Sequence, residues 1–303
     1  MSSINKDLAG IFNEHKGKLS DKWASYIKAY SLEFQKYRNN PINVLEIGSQ
    51  NCGTLEIWAK YFSKSKLILG TDIESIESLS FSDPRIKTIV CDSTKLKDNN
   101  YLKKFKFDVM IDDASNISKH VIINFLSLYP LLNDNGVYVV EDLSCSYWKK
   151  FNEDHVQRSM YFFSNLVNFI NLEHWTEEYE TEIKKLFFHN FPIEIDLNNL
   201  KKLFDTIHTI KFYNSMCFIF KAESKNHIGE RIVRGKDFPI IKNEIENFNY
   251  LKKKSNPTTE NYQKLESAYK NLEYHYLNLK DEYEKVLMNK KGVLSKILSF
   301  FKK

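Results

Sequence analysis

Short apolar runs alternate with amphipathic stretches through the middle of the chain. Because these runs are continuously apolar, they are typical of strands in a parallel sheet that is covered on both faces. The amphipathic stretches repeat their apolar residues with a helical period, which predicts helices at 54–62 and 119–132. The apolar runs predict strands at 42–48, 66–73, 86–93, 107–113 and 136–143.

Two further strands are predicted near residue 214. The segment 207–223 is apolar on both sides of Tyr213-Asn214-Ser215, which indicates an antiparallel hairpin at the far edge of the sheet. The predicted fold class is therefore α/β, with a Rossmann-like, seven-stranded and mostly parallel sheet that ends in an antiparallel edge hairpin.

Helices are predicted on either side of these strands. Residues 5–39 look helical, with Ser20 as N-cap and an apolar face at helical spacing formed by Trp23, Ile27, Tyr30 and Phe34. Residues 155–172 and 174–190 are also predicted to be helices.

The last part of the chain carries a heptad repeat. Its spacing alternates between three and four residues at Tyr262, Leu265, Tyr269, Leu272, Tyr276, Leu279, Tyr283 and Val286. This predicts either a coiled coil with a second copy or a helix that packs on the protein's own body. Residues 293–303 form an amphipathic, Lys-bearing segment that either lies on an anionic membrane surface or packs on a neighbour.

The net charge of +5 belongs to this tail. Residues 250–303 hold 12 Lys against 6 acids, so residues 1–249 lack the basic excess of nucleic-acid binders. We find neither an apolar run of the roughly 18 residues needed for a membrane span nor an apolar signal-peptide core at 1–10. The cysteines are widely spaced, which predicts reduced thiols and therefore a cytoplasmic protein: Cys52, Cys91, Cys145 and Cys217. If the tail binds a membrane, the protein would be peripheral at that membrane.

A glycine turn and two acids form a candidate nucleotide site. Strand 42–48 runs into a turn with Gly48 and Gly53, and the next two strands end at Asp72 and Asp92. Strand carboxyl ends meet at one edge of an open sheet, where an acid can bind ribose hydroxyls or the amine of adenine. The turn lacks the middle glycine of the loop that binds a pyrophosphate, which favours a nucleoside without a pyrophosphate, such as S-adenosylmethionine (SAM). The alternative is that the fold binds some other nucleotide.

Three further acids are expected to converge on the same edge. Asp113, Glu141 and Asp142 follow neighbouring strands and would repel one another unless a cation neutralised them. Oxygen ligands suit Mg²⁺, which could lower the pKa of a substrate hydroxyl. In the alternative, Glu141 and Asp142 form ion pairs, while Asp112 or Asp113 caps a turn or binds the amino group of SAM.

These segments resemble a known family of enzymes. In order, "SDKWASYIKAY", "VLEIGSQNCGTLEIWAKYF", "IDDASN" and "GVYVVEDLSCSYW" are similar to the class I, metal-dependent sugar O-methyltransferases of the macrocin and mycinamicin type, and to methyltransferases of bacterial surface-polysaccharide gene sets. The resemblance covers roughly residues 18–220. It implies a class I methyltransferase fold, SAM bound by the turn from Glu46 to Gly53, and Mg²⁺ on Asp113, Glu141 and Asp142.

One position departs from the family pattern. The family has "DDGSH", whose His is the proposed base, whereas this chain has Asn116 there, and Asn cannot accept a proton at neutral pH. Either the base is elsewhere, or the metal acidifies the hydroxyl without one, or activity is lost. His120 is a candidate substitute, or else an ordinary surface histidine; His155 and His174 are weaker candidates. Tyr147 and Trp148 either wall a sugar pocket or pack in the core.

The sequence as a whole predicts a SAM-dependent sugar O-methyltransferase of surface-polysaccharide biosynthesis. Its acceptor would be a nucleotide-activated sugar or a glycan, and the heptad segment predicts a homo-oligomer. The alternatives are a metal-independent O- or N-methyltransferase and a non-catalytic SAM-binding scaffold. The predicted parts are a helical cap at 1–40, the methyltransferase domain at 41–250, a linker at 251–259 and the tail at 260–303.

Overall fold

A computed structural model describes most of the chain up to residue 234. The residues described are 6–74, 76, 78–95, 99–188, 190–232, 234, 268–271 and 275–276. The chain divides into two compact units, residues 1–229 and 230–303. In the second unit, residues 268–271 and 275–276 are helical, while the predicted linker, the rest of the heptad segment and residues 293–303 lie outside the described residues.

The first unit is built on a seven-stranded sheet with the order β3-β2-β1-β4-β5-β7-β6. The first five strands are parallel, and β7 and β6 are antiparallel additions next to β5. The predicted sheet with its antiparallel edge is therefore confirmed. The strands are β1 Asn43–Ile47, β2 Leu67–Asp72, β3 Ile86–Val90, β4 Phe107–Asp112, β5 Leu132–Val140, β6 Ile207–Tyr213 and β7 Met216–Lys221.

Helices cover both faces of this sheet. Among the described residues they are α1 Leu8–Asn13, α2 Ala24–Glu33, α3 Gly53–Tyr61, α4 Asn99–Leu102, α5 Ser118–Leu128, α6 Ser159–Asn165, α7 Val167–Ile170, α8 Glu177–Phe187 and α9 Leu197–Phe204. Short 3₁₀ turns occupy Tyr129–Leu131, Leu143–Tyr147, Lys149–Phe151 and Leu172–His174.

Helix α2 differs from its prediction at both the cap and the buried face. It begins at Ala24 with Trp23 at the N-cap position, so Ser20 is not the cap, and the Trp23 side chain is 68% exposed. The side chains that face the sheet are Tyr26, Ala29, Tyr30 and Glu33. The apolar face predicted from the sequence was thus wrong for Trp23, because this residue has extended backbone and precedes the first helical residue.

The predicted helix at 155–172 is broken into shorter pieces. The Asn165 amide donates to Tyr161 O, and the Asn168 amide donates to Asn165 O. Such side-chain bonds compete with the helical pattern of the backbone. The predicted helix at 119–132 ends earlier, at Leu128, because Pro130 lacks the N–H group that would continue it.

The alternation of side chains along the strands divides the core into two layers. Leu45 and Ile47 pack under α5 and the helices that follow it, whereas Val44 packs under α2 and α3. None of the described helices is both long enough and apolar enough to cross a membrane.

Candidate active site

A cavity of about 540 Å³ opens at the carboxyl ends of β1 and β2. Asp72, the last residue of β2, accepts hydrogen bonds from the Gln50 N–H at 2.7 Å and the Glu74 N–H at 3.0 Å. A carboxylate has about four acceptor sites, so Asp72 retains capacity for further donors. The cavity is lined by Lys18, Leu19, Gln50, Asn51, Asp72, Glu74, Ile76 and Leu79.

The two glycines of the turn are required by the protein's own backbone. Gly48 has a φ of 85°, and a Cβ atom there would overlap the backbone of Asp113 and Ala114. At Gly53 a Cβ atom would overlap the backbone oxygens of Lys18 and Leu19. The glycines therefore let two chain segments, the one after β4 and the one before α2, approach the turn closely.

Asp92 lies just beyond β3 and is held within its own loop. It accepts from the Thr94 N–H at 3.0 Å and the Thr94 hydroxyl at 2.6 Å, and it pairs with Lys95 at 2.8 Å. Its predicted contact with the adenine amine stays a prediction.

Strand alternation brings three acids to one face of the sheet edge. Glu46 has the same parity on β1 as Val44, and Glu141 follows Val139 of β5 by two residues. Asp113 likewise follows Ile111 of β4 by two residues. Because side chains two apart point to the same face, these acids turn towards the layer that contains α2.

Lys22 lies at the centre of these acids. Its Nζ atom contacts Asp113 Oδ2, lies 2.9 Å from Glu141 Oε1 and lies 3.9 Å from Glu46 Oε1. The Lys22 side chain is only 3% exposed. The structure thus places an ammonium group at the point where the sequence predicts a metal ion.

Two tyrosines of α2 complete the cluster. Tyr26 donates its hydroxyl hydrogen to Asp142 Oδ1 at 2.7 Å, and Tyr30 donates to Glu141 Oε1 at 2.5 Å. Tyr26 and Tyr30 are four residues apart in α2, so they lie along one side of the helix, and Lys22 lies two residues before its first residue. The segment from Lys22 to Tyr30 therefore contacts all three predicted metal ligands.

The acids carry more negative charge than one ammonium compensates. Burial raises the pKa of Glu46 to about 7. Burial also raises the pKa of Asp113, with the Glu141 charge adding to the effect, and burial raises the pKa of Glu141. Burial alone would lower the pKa of Lys22, but Glu141, Asp113 and Glu46 outweigh it and raise that pKa above its usual value.

Asp112 points to the other face of the sheet. It is 3% exposed and accepts from the Asn124 amide at 3.2 Å and the Tyr138 hydroxyl at 3.1 Å. Burial raises the pKa of Asp112 to about 7. Its contacts lie in the core beneath α5, so its predicted role in cofactor binding stays a prediction.

The donor set suits a divalent cation but is only partly assembled. Asp113 and Glu141 converge on one point, and carboxylate oxygens are the ligands that Mg²⁺ prefers. Asp142 is turned towards Tyr26. Within the described part of the chain, no group of three His, Cys, Asp or Glu side chains is arranged to hold a metal. That Asp113, Glu141 and Asp142 hold a metal ion stays a prediction.

The interpretation of the sequence missed Lys22, Tyr26 and Tyr30 as members of the site. The available signal was the four-residue spacing of Tyr26 and Tyr30, which puts two hydroxyl groups along one helical face, whereas Lys22 lies before the helix and carries no such signal. The alternative in which Glu141 and Asp142 form ion pairs describes Glu141, which pairs with Lys22, whereas Asp142 accepts a hydrogen bond from Tyr26.

Comparison with known proteins gives relatives of one kind. No family model matches the chain. It is 35% identical over 175 residues to 8-demethyl-8-alpha-L-rhamnosyl tetracenomycin-C 2'-O-methyltransferase of Streptomyces olivaceus, a match covering 53% of this chain and 45% of that protein. It is 35% identical over 151 residues to demethylmacrocin O-methyltransferase of Streptomyces fradiae, covering 45% of this chain and 37% of that protein.

The chain is related to the macrocin-type sugar O-methyltransferases. The resemblance predicted from the sequence is thereby confirmed. The chain spans less than half the length of these relatives. A solved structure of the MycE methyltransferase in complex with Mg, SAH and mycinamycin VI has the same fold, with a TM-score of 0.58 and 23% identity over 76% of this chain and 57% of that one.

Asn116, the residue that departs from the macrocin-type pattern, follows Asp113 by three residues. Asn116 is half-buried in the loop between β4 and α5. His120, in the first turn of α5, has its Nδ1 atom 2.9 Å from the Ser115 hydroxyl oxygen. His155 and His174 are exposed. The role of His120 as the base stays a prediction.

The predicted acceptor-binding aromatic residues lie outside the core. Tyr147 is 63% exposed and Trp148 is 54% exposed, and they follow Asp142 by five and six residues. The Trp148 ring lies 5.9 Å from that of Phe151. Core packing therefore does not account for these two residues, and their contact with a sugar stays a prediction.

Proposed function

We propose that this chain is a SAM-dependent O-methyltransferase that methylates a hydroxyl group of a sugar. The observation that carries this proposal is the placement of a cofactor-sized cavity and the converging acids Asp113 and Glu141 at one sheet edge. The relatives support it, because their names describe O-methyl transfer to compounds such as a rhamnosyl tetracenomycin.

Asp72 and the turn that precedes α3 would bind the cofactor. The Asp72 carboxylate holds the Gln50 N–H and faces the cavity, so its remaining lone pairs can accept from two ribose hydroxyls. When bound, SAM supplies an electrophilic methyl group, which leaves sulfur as the oxygen–carbon bond forms. The residues of the turn would hold it in line with the acceptor, and such positioning contributes much of the rate enhancement in transfer reactions.

Asp113, Glu141 and Asp142 would orient the acceptor hydroxyl. A divalent cation held by them would lower the pKa of that hydroxyl when bound. The hydroxyl proton must leave as the methyl group arrives, and His120 is the proposed acceptor because Asn116 cannot accept it at neutral pH. Tyr147 and Trp148 would stack against the sugar ring.

For the acceptor we propose a nucleotide-activated sugar or a glycan residue of a bacterial surface polysaccharide. The support is the resemblance to methyltransferases of that context and the Lys-rich segment 250–303, which suits work near an anionic membrane. We further propose that the heptad segment mediates homo-oligomerisation and that residues 293–303 contact the membrane surface.

A second candidate is methyl transfer that needs no metal. It is favoured by Lys22, whose ammonium already compensates part of the charge on Asp113 and Glu141. In a metal-independent reaction, Asp113 and Glu141 would orient the acceptor hydroxyl through Lys22.

The test combines cofactor binding with turnover. SAM binding is measured by calorimetry, and methyl transfer is then measured on a panel of nucleotide sugars, glycans and antibiotic glycosides, with Mg²⁺ and with excess EDTA. We expect turnover that EDTA and Asp113→Ala both abolish. Turnover that EDTA leaves unchanged would instead support the metal-independent candidate. Tight SAM binding without turnover on any acceptor would contradict the enzyme and favour a SAM-binding scaffold.

A further inference from the structure

Lys22 occupies a position that a divalent cation would need. Its Nζ atom contacts Asp113 Oδ2 and lies 2.9 Å from Glu141 Oε1, so it sits within hydrogen-bonding range of both oxygens. A Mg²⁺ ion bound by those oxygens would lie about 2.1 Å from each. The two positions overlap, and two positive groups so close together would repel each other strongly.

The backbone around Lys22 is anchored on both sides. Before it, the Lys18 ammonium pairs with Glu56 at 3.0 Å, and the Lys18 N–H donates to the same carboxylate. After it, Tyr26 and Tyr30 bind Asp142 and Glu141. The backbone position is therefore fixed by other residues, while the four-carbon side chain of a lysine leaves its ammonium group free to turn away.

The negative charge of the acid cluster favours a cation of higher charge than one ammonium group. Three carboxylates, those of Glu46, Asp113 and Glu141, contact the single ammonium of Lys22. The Asp142 carboxylate, which follows Glu141, accepts a hydrogen bond from the neutral Tyr26 hydroxyl. Replacing that ammonium by a divalent ion adds one positive charge where the acids converge. Lys22 in turn prevents the buried acids from repelling one another when no metal is bound.

We propose that Lys22 is the resident cation of the metal-free acid cluster, and that a divalent cation binds by displacing its ammonium group. This inference rests on the metal-dependent form of the proposed function. The ammonium group of Lys22 and the metal ion then compete for the same carboxylates. The more strongly Lys22 binds Asp113 and Glu141, the lower is the apparent affinity of the site for the metal. Lys22 thereby keeps the cluster folded and ready without a metal.

Metal binding in a lysine variant tests the exchange directly. Mn²⁺ alone is titrated into the wild-type chain and into Lys22→Met, without SAM, and free Mn²⁺ is followed by electron paramagnetic resonance. We expect Lys22→Met to bind Mn²⁺ at least about tenfold more tightly than wild type, because no ammonium competes. The matched control is Lys211→Met, which removes a lysine paired with the buried Glu33 of α2, away from the cluster, and should bind Mn²⁺ as wild type does.

Thermal unfolding separates exchange from a folding defect. Without metal, Lys22→Met should melt below wild type, since its buried acids lose their counterion. Saturating Mg²⁺ should raise the melting temperature of Lys22→Met by more than it raises that of wild type. Lys211→Met should show no such difference in its response to Mg²⁺.

A measurement on the unaltered chain covers the case in which Lys22→Met does not fold. Reductive methylation of lysines is read by mass spectrometry with and without Mg²⁺. We expect Mg²⁺ to increase labelling of Lys22, which is 3% exposed in the structure, relative to that of Lys18.

Three results would overturn the exchange. One is equal or weaker Mn²⁺ binding by Lys22→Met, which would mean that Lys22 is remote from the metal or helps to hold it. Another is unchanged labelling of Lys22 while Mg²⁺ binds. The third is the absence of Mn²⁺ binding in every variant, which would also remove the metal from the proposed function. SAM binding and turnover in EDTA would then show separately whether methyl transfer itself survives.

Discussion

Tyr30 donates its hydroxyl hydrogen to Glu141 Oε1 at 2.5 Å, across 111 residues of sequence. The Tyr30 ring is 1% exposed and packs against Phe34, Trp58 and Phe218. The aromatic core under the sheet thus fixes the direction of an acid at the sheet edge. Packing and site geometry are coupled at this residue.

Removing the Tyr30 hydroxyl should impair the site more than the fold. We expect Tyr30→Phe to keep the ring packing, to lower the free energy of unfolding by about 1 kcal/mol, and to reduce methyl transfer because Glu141 loses one of its partners. Denaturant unfolding and turnover measure the two effects. Tyr37→Phe is the control, since the Tyr37 hydroxyl donates to Asn135 O at 2.8 Å, and it should cost similar stability without loss of turnover. Equal turnover in the two variants would contradict this role.

The close approach at Gly53 should be needed for cofactor binding. In Gly53→Ala the new methyl group would overlap the backbone of Lys18 and Leu19, two residues that line the cavity. We expect SAM affinity to fall by at least about tenfold in calorimetry, because the segment before α2 must move. Gly229→Ala places a methyl group in open space at a φ of 76°, so it should cost about 1 kcal/mol and leave SAM affinity unchanged. Wild-type affinity in Gly53→Ala would show that this segment does not shape the cofactor site.

Asp83 should make part of the stability depend on pH. Arg85 binds it bidentately at 2.6 and 2.9 Å and also donates to Ala59 O in the last turn of α3 and to Phe62 O just after it. The hydrogen bonds from Arg85 lower the pKa of Asp83 below its usual value. Because the folded pKa is the lower one, this contribution is complete above the unfolded pKa of about 3.9 and is lost as the pH falls through the folded value.

Asp83→Asn therefore should be less stable than wild type by about 1 kcal/mol at pH 7. Urea unfolding from pH 7 down to pH 3 should show the difference shrinking below about pH 4. Asp134→Asn, which alters a more exposed pair with Lys221, should show a smaller difference at every pH. A difference for Asp83→Asn that is independent of pH would mean that the charge of Asp83 is not what Arg85 requires.

His120 should be required for turnover if it accepts the hydroxyl proton. We expect His120→Gln to lower kcat by about 100-fold while SAM affinity in calorimetry stays as in wild type. His208→Gln, at an exposed position next to Thr209 on β6, should leave kcat unchanged. Full activity of His120→Gln would mean that the hydroxyl proton passes to solvent, and Asn116→His would then be the informative variant.

The five parallel strands and their order of appearance were predictable because each is a largely apolar run with an acid near its carboxyl end. A parallel sheet buried on both faces requires such runs, and its strand ends must meet at one edge. Helix boundaries were less predictable. The helix predicted over 155–172 is interrupted where the side-chain amides of Asn165 and Asn168 bind nearby carbonyls, a local competition that apolar periodicity does not report.

The sequence by itself determined that Glu46, Asp113, Glu141 and Asp142 lie at one edge of the sheet, because strand direction and alternation depend on local pattern alone. Only the tertiary structure decided which partners these acids have. Lys22 reaches Asp113 across 91 residues because α2 packs its buried face on the sheet layer that holds Val44 and Val139. Such contacts depend on how separate layers pack together, and no local pattern in either segment specifies them.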